Sequence, residues 1–481
     1  STTGWFIPTT AGGTAAAAPP ALLAQAISPN YYRSPELPAQ AQAAQPDGAG
    51  NIAGSALAPV TRTAPQAKRV KVAGIDLVAY RTGVKDVVTL RGSLPAGSAL
   101  SQDNPAVATL TAMLLDQGTR QQDKFAIARR LEAVGASIHF HAGTNLLDIS
   151  GKCLKKDLPL VLGLLAEQLR SPAFSAEEFA KAQKQLAGAV QRQLENTDFR
   201  ADDAFSRVAF QPGHPNRNPE PQALLAAIVS ARLQDVIAFH QAHYGPAQMT
   251  LVAVGDIDSA ALQTRLGEVF AGWQGGSAAV RHVKADKVAA PRQAQVVMSG
   301  KTSVSVVLGQ ASGLQHQHPD YQAVRMATAI LGSGFTGRLM AQVRDQEGLT
   351  YSIDAGLGDD SFNEGDWKIS ASFAPAMLDQ GIASTRRQLD LWYQQGVTAA
   401  EVESRKTNLV GAFQVNLATT DGLANALLVT LQRGYALDWI DDYPAQVRAL
   451  TVAQVNAAIK KYLQPENMIL VTAGTLPEGS K

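Results

Sequence analysis

Residues 236–255 read VIAFHQAHYGPAQMTLVAVG, and residues 455–474 read VNAAIKKYLQPENMILVTAG. Laid side by side without a gap, Val236, Pro246, Met249, Leu251, Val252 and Gly255 recur as Val455, Pro465, Met468, Leu470, Val471 and Gly474. A second echo lies upstream. Residues 131–143, LEAVGASIHFHAG, match residues 344–356, RDQEGLTYSIDAG, at Gly135 and Gly348, Ala142 and Ala355, and Gly143 and Gly356. The echoes keep their order along the chain, as two copies of a unit of roughly 200 residues require. The expected fold is therefore α+β, with two homologous domains, each an antiparallel-rich sheet covered by helices.

Outward from these echoes, residues 70–72, 76–79 and 87–90 read as short apolar strands and residues 106–115 as a helix. Residues 123–134 space Phe125, Ala128, Leu131 and Ala133 for a helix that ends at Gly135. Residues 137–142 then alternate Ile138 and Phe140 with polar side chains, as a strand does. Helical stretches at 158–169, 176–194 and 224–227 lead to an apolar strand at 249–254. Residues 274–295 mix Gly, Ser, Ala, Lys and Pro, the composition of an exposed connection. The expected organisation is an Ala/Pro-rich arm at 1–67, an N-terminal domain at 68–273, a linker at 274–295 and a C-terminal domain at 296–481. The arm carries two aromatic pairs, Trp5 with Phe6 and Tyr31 with Tyr32. They read either as anchors on another surface or as incidental rings on a tail.

A chain of 481 residues with 46% hydrophobic and 17% charged side chains has the composition of a globular protein with more than one domain. Its 42 Lys and Arg nearly balance 41 Asp and Glu, so the overall charge gives no reason to expect a nucleic-acid partner. The longest apolar runs, such as 158–166, fall well short of the roughly 20 residues that span a bilayer, so no membrane span is expected. With Cys153 as the single cysteine, an intrachain disulfide and a thiolate zinc cluster are both ruled out. The chain opens on Ser1 rather than Met, which suits removal of a leader as well as trimming. A periplasmic location is the expectation, with the cytoplasm as the alternative.

The duplicated unit, the phrase HYGPAQMTLVAVGDID at 243–258 and GSGFTGRLMAQVRDQEGLTYS at 332–352 together resemble the pitrilysin, insulin-degrading enzyme and mitochondrial processing peptidase family. The resemblance runs from about Lys68 to the C terminus. Its most specific part is Gly337-Arg338-Leu339 followed by Arg344 and Tyr351, which looks like the family's arginine and tyrosine pair. Active members carry an inverted His-x-x-Glu-His motif on a helix just before Gly-Thr, where two imidazoles hold zinc and the glutamate activates water. Here the matching text is NPAVATLTAMLLDQGT, and alignment on Gly118-Thr119 puts Thr109, Ala112 and Met113 at those positions. The family's third ligand, a downstream glutamate, falls near Ala189, and Glu195 comes too late. The pairs His139 with His141, His240 with His243 and His316 with His318 lack a carboxylate at a useful spacing, so no metal is expected in this chain.

The resemblance thus implies a non-catalytic subunit of a heterodimeric zinc metallopeptidase, inactive alone. Zinc and the general base would come from a homologous partner subunit, which this chain pairs with as a clamshell. Arg344 and Tyr351 would bind peptide or unfolded-protein substrate and stabilise the oxyanion in trans. The competing reading of the pair is local: Arg344 in a last helical turn and Tyr351 as a packed strand residue. The alternative function is a structural or peptide-binding scaffold subunit, like the family's degenerate members in respiratory complexes. Hydrolysis by this chain alone would need a nucleophile, and neither a Gly-x-Ser-x-Gly elbow nor a histidine partner for Cys153 is recognisable.

Overall fold

The computed structural model describes residues 62–287 and 289–476. Its first half contains β1 (Lys68–Val72), β2 (Ile75–Arg81), β3 (Val87–Leu94), α1 (Val107–Leu114), α2 (Lys124–Glu132), β4 (Ser137–Ala142), β5 (Leu147–Leu154), α3 (Leu158–Arg170), α4 (Ala176–Gln193), α5 (Thr197–Ala209), α6 (Pro221–Ser230), α7 (Leu233–His243), β6 (Thr250–Gly255) and α8 (Ser259–Val269). The second half contains β7 (Arg292–Val297), β8 (Val304–Ala311), α9 (Tyr321–Gly332), a π-helix (Met340–Gln346), β9 (Thr350–Gly358), β10 (Asp366–Phe373), α10 (Leu378–Gln395), α11 (Ala399–Leu417), α12 (Thr420–Gln432), α13 (Trp439–Ala449), α14 (Val452–Tyr462) and β11 (Ile469–Gly474). Several helix starts are encoded locally. Asp123, Ser175 and Asn196 accept the backbone N–H groups of Ala126, Glu178 and Phe199, donors that a first turn leaves open.

The first sheet runs β1-β2-β6-β3-β5-β4 and the second β7-β11-β8-β10-β9. Without β1 the two orders match strand for strand, and in each the matched pair β2 with β6, or β7 with β11, is the parallel one. The sequence echoes fall on equivalent places. Met249 and Met468 are both buried. Gly255 and Gly474 both close their strand at positive φ, 142° and 148°. A Cβ on Gly255 would collide with the Val87 carbonyl oxygen, and one on Gly474 would lie 2.7 Å from that of Ser303. Glycine is required twice for the same reason, close approach of the neighbouring strand.

Each sheet buries one face under helices of its own half and the other under a helix from the opposite half. From the first half, α5 lays Ala201, Phe205 and Ala209 on Val307, Val471 and Ala473 of the second sheet. From the second half, α12 lays Leu423, Leu427 and Leu428 on Val78, Val252 and Val254 of the first. Val252 and Val471 are matched positions, so the exchange is reciprocal. Each valine, leucine or phenylalanine among them stabilises by about 1.5–3 kcal/mol when fully buried, the alanines by less, and the described residues accordingly form one compact unit.

The connection between the sheets is tied to both halves. Asn145 Nδ2 donates to the Val280 carbonyl at 2.5 Å, and the His282 N–H donates to that of Phe362 at 2.7 Å. β7 begins inside the stretch read as linker, its exposed Gln293 and Gln295 hiding the strand pattern. Of the arm, Thr63 and Ala64 donate their N–H groups to the Asp441 carboxylate at 2.7 and 2.9 Å. Its aromatic pairs lie outside the described residues. No single helix among the described residues is long and apolar enough to cross a membrane.

Candidate functional site

On α1, Thr109 and Met113 stand one turn apart and half-buried, with Ala112 buried between them. Met113 packs with Leu110, Leu114, Phe179 and Val190, and Ala189 lies half-buried on the neighbouring α4. A hydroxyl, a methyl and a thioether on an apolar seam do not fit a zinc ion, which takes imidazole, thiolate or carboxylate. Among the described residues no group of three or more His, Cys, Asp or Glu is placed to hold a metal.

Four of the six singled-out histidines are held by the fold itself. His240 Nε2 lies 2.8 Å from the Leu169 carbonyl oxygen, and His243 Nδ1 lies 3.1 Å from Ser277 Oγ. His316 sits among Tyr321, Tyr435 and Trp439, where burial lowers its pKa to about 3. His318 Nδ1 accepts the Asp320 N–H at 3.1 Å. His139 and His141 point outward from the edge strand β4. Cys153 is buried, and burial pushes its thiol up to about 12, which keeps it protonated and unreactive.

Arg344 and Tyr351 come together. The Arg344 guanidinium carbon lies 5.4 Å from the Tyr351 ring centre and 5.3 Å from that of Phe335, both within cation–π range. The rings are 64% and 73% exposed, so this aromatic surface faces outward rather than into the core. The carboxylate within 4 Å of Arg344 is that of its neighbour Asp345, at 3.9 Å, too far for a hydrogen bond. Phe335 escaped the sequence reading, although a large ring within Gly332-Ser-Gly-Phe-Thr-Gly337, with no apolar period to explain it, was the available signal.

Two irregularities set this arrangement. Arg344 rides on the π-helix, whereas its counterpart in the first half is the ordinary helix α2. β9 carries a bulge: Ile353 pairs with Ala371 but Thr350 with Phe373, leaving Tyr351 and Ser352 opposite Ser372. The Thr350 hydroxyl donates to the Ser372 carbonyl at 2.6 Å and accepts the Ser352 N–H at 3.2 Å, latching the bulge. The matched strand β4 pairs with β5 without interruption, and Ile138, the counterpart of Tyr351, is buried. The bulge turns the tyrosine outward where the regular strand turns the isoleucine in. β9 is also the edge of its sheet.

Arg338, from the same motif, has a structural role. It grips Glu401 with two hydrogen bonds of 2.7 and 2.8 Å and donates to the Gly396 carbonyl at 3.0 Å. Glu401 also closes the capping box of α11 with Thr398. The Arg338 bond holds the Glu401 carboxyl down to about 2.

The model described as insulinase (peptidase family M16) matches residues 77–217, and that of the peptidase M16 inactive domain matches residues 230–409. The chain belongs to peptidase family M16. It is 22% identical over 381 residues to the non-peptidase homolog YmxG of Helicobacter pylori, covering 76% of this chain and 84% of that protein. An uncharacterized zinc protease of Mycobacterium tuberculosis is 24% identical over 382 residues, covering 76% and 83%. The solved M16 inactive domain of Pseudomonas fluorescens superposes with a TM-score of 0.79 at 24% identity, over 85% of this chain and 98% of that one, which speaks for the fold. The chain is an inactive member of the family.

Proposed function

We propose that this chain is the non-catalytic subunit of a heterodimeric M16 zinc metalloendopeptidase. In this reading a homologous partner supplies zinc and the general base, and Arg344 and Tyr351 bind the substrate and stabilise the transition state. The observation that carries the proposal is the contrast between the two halves. Where the first half has Leu131 and Ile138 on a regular helix and a regular strand, the second has Arg344 and Tyr351 on a π-helix and a bulge. Both irregularities recur at functional sites. A fold that packs well with two apolar residues gains no core from an arginine and an exposed tyrosine.

The chemistry suits acyl transfer. Arginine keeps its proton and tyrosine presents an O–H, so both donate to a peptide carbonyl and to the oxyanion formed when water attacks. The edge of β9 offers backbone groups to an extended peptide, a mode that reads conformation more than side-chain identity. A clamshell of two such chains would then enclose peptide or unfolded segments.

A scaffold role without catalysis is the second reading, favoured by side chains unable to bind zinc or activate water at Thr109, Ala112, Met113 and Ala189, the positions that the resemblance assigns to the ligands and the general base. The two readings part on one experiment. The chain is mixed with a zinc-motif-bearing relative from the same source, and kinetics are compared for wild type, Arg344→Ala and Tyr351→Phe. A fall of about 10²–10³ in kcat for Arg344→Ala supports the shared site; unchanged kinetics in both variants would leave the scaffold.

A further inference from the structure

Resting on the shared-site reading, we infer that Phe335 is a positioning residue that clamps Arg344 against Tyr351 and fixes the direction in which its donors point.

A free arginine side chain at a surface samples many rotamers, and ordering it on substrate binding costs free energy each time. The ion pair of Arg344 with Asp345, at 3.9 Å, is too long for a hydrogen bond and holds the guanidinium only loosely. Two ring faces constrain it instead, Phe335 at 5.3 Å and Tyr351 at 5.4 Å. Rings have advantages over a carboxylate here. A cation–π contact takes up none of the guanidinium's N–H donors, whereas a bidentate carboxylate such as Glu401 on Arg338 occupies two of them.

The loop that carries Phe335 gives it no packing role. Its ring is 73% exposed, between Gly334 at φ 68° and Thr336, which is also exposed. The buried neighbours are Leu331 and Leu339, on either side of the loop. A phenylalanine held in water loses apolar burial, and its ring contact with Arg344 is what the structure shows in exchange.

The test is a double-mutant cycle in the reconstituted complex, read with an internally quenched, unstructured peptide, on the variants Phe335→Ala, Phe335→Leu, Phe335→Tyr, Arg344→Ala and Phe335→Ala with Arg344→Ala. Because Phe335 is exposed, unchanged thermal melting should accompany each Phe335 change. The expected result is a fall of roughly two- to fivefold in kcat/KM for Phe335→Ala and Phe335→Leu, no loss for Phe335→Tyr, and no further loss when Phe335→Ala is added to Arg344→Ala. Full activity of Phe335→Leu would mean that bulk rather than a ring face acts, and would overturn the inference. So would an equal loss from Phe335→Ala whether or not Arg344 is present. If Arg344→Ala leaves turnover unchanged, the shared site itself fails; if Arg344→Ala is damaging and Phe335→Ala is silent, the clamp alone fails.

Discussion

The Arg344 guanidinium carbon and the Tyr351 ring centre lie 5.4 Å apart although the two residues sit on different elements, a π-helix and a bulged edge strand. A planar, delocalised cation beside a ring is not replaced by a point charge on a flexible stem. Arg344→Lys in the reconstituted complex is therefore expected to lose most of what Arg344→Ala loses. Steady-state kinetics on the two variants side by side checks this; near wild-type turnover for the lysine variant would mean that charge alone matters.

Tyr351 faces outward because of the bulge, and the Thr350 hydroxyl bridges it between Ser372 and Ser352. Thr350→Val keeps the shape and β-propensity but removes the hydroxyl. We expect it to cost about 1 kcal/mol of stability and to lower turnover more than that change in stability explains. Denaturant melts paired with kinetics separate the two effects.

Arg338 and Glu401 join the glycine-rich loop to the start of α11 through two charge-assisted bonds. Arg338→Ala or Glu401→Gln should destabilise the chain by about 1–2 kcal/mol, the lower figures reflecting side chains that water partly screens. The Glu401 pKa is depressed in the folded state to about 2, so its contribution is full above the usual carboxylate range. It is lost as pH falls toward 2. Wild type should lose stability across that acid window faster than Glu401→Gln, which thermal melts at stepped pH would show.

His316 is buried neutral, with burial lowering its pKa to about 3. Between the ordinary value of 6.5 and that figure the unfolded chain binds the proton and the folded chain does not, so stability falls as pH drops through this window. His316→Gln can still bond the Tyr435 hydroxyl and should flatten the fall. His214, His240 and His243, also lowered chiefly by burial, would leave part of it in place. An unaltered pH profile for the variant would remove His316 from the account.

The duplication was legible because its two echoes sit on residues that geometry fixes twice: Gly255 and Gly474, which admit no Cβ, and Gly135 and Gly348, which end helices at positive φ. β4 lies at 137–142 as read, and α1 and α4 fall within a residue or two of the sequence reading. Other elements went unread, β5, α5 and α8 of the first half and most helices of the second among them. β5 alternates Leu147, Ile149 and Cys153 with polar residues but includes Gly151, and α5 spaces Ala201, Phe205 and Ala209 four apart but builds its stripe mostly from small alanines and packs on the other half's sheet. Arg344 and Tyr351 were found through their motif. Phe335 was not, because its partner lies on another element and only the fold brings them into register. The bulge at Tyr351 escaped for the same reason: one extra residue shows only against the strand it pairs with.

Peptidase activity and zinc content of the purified chain, alone and after mixing with a zinc-motif-bearing relative from the same source, decide whether the site is split between two subunits. The split-site account predicts a zinc-free, inactive chain alone and activity that appears only in the mixture and falls with Arg344→Ala. Activity with bound zinc in the chain alone would contradict it.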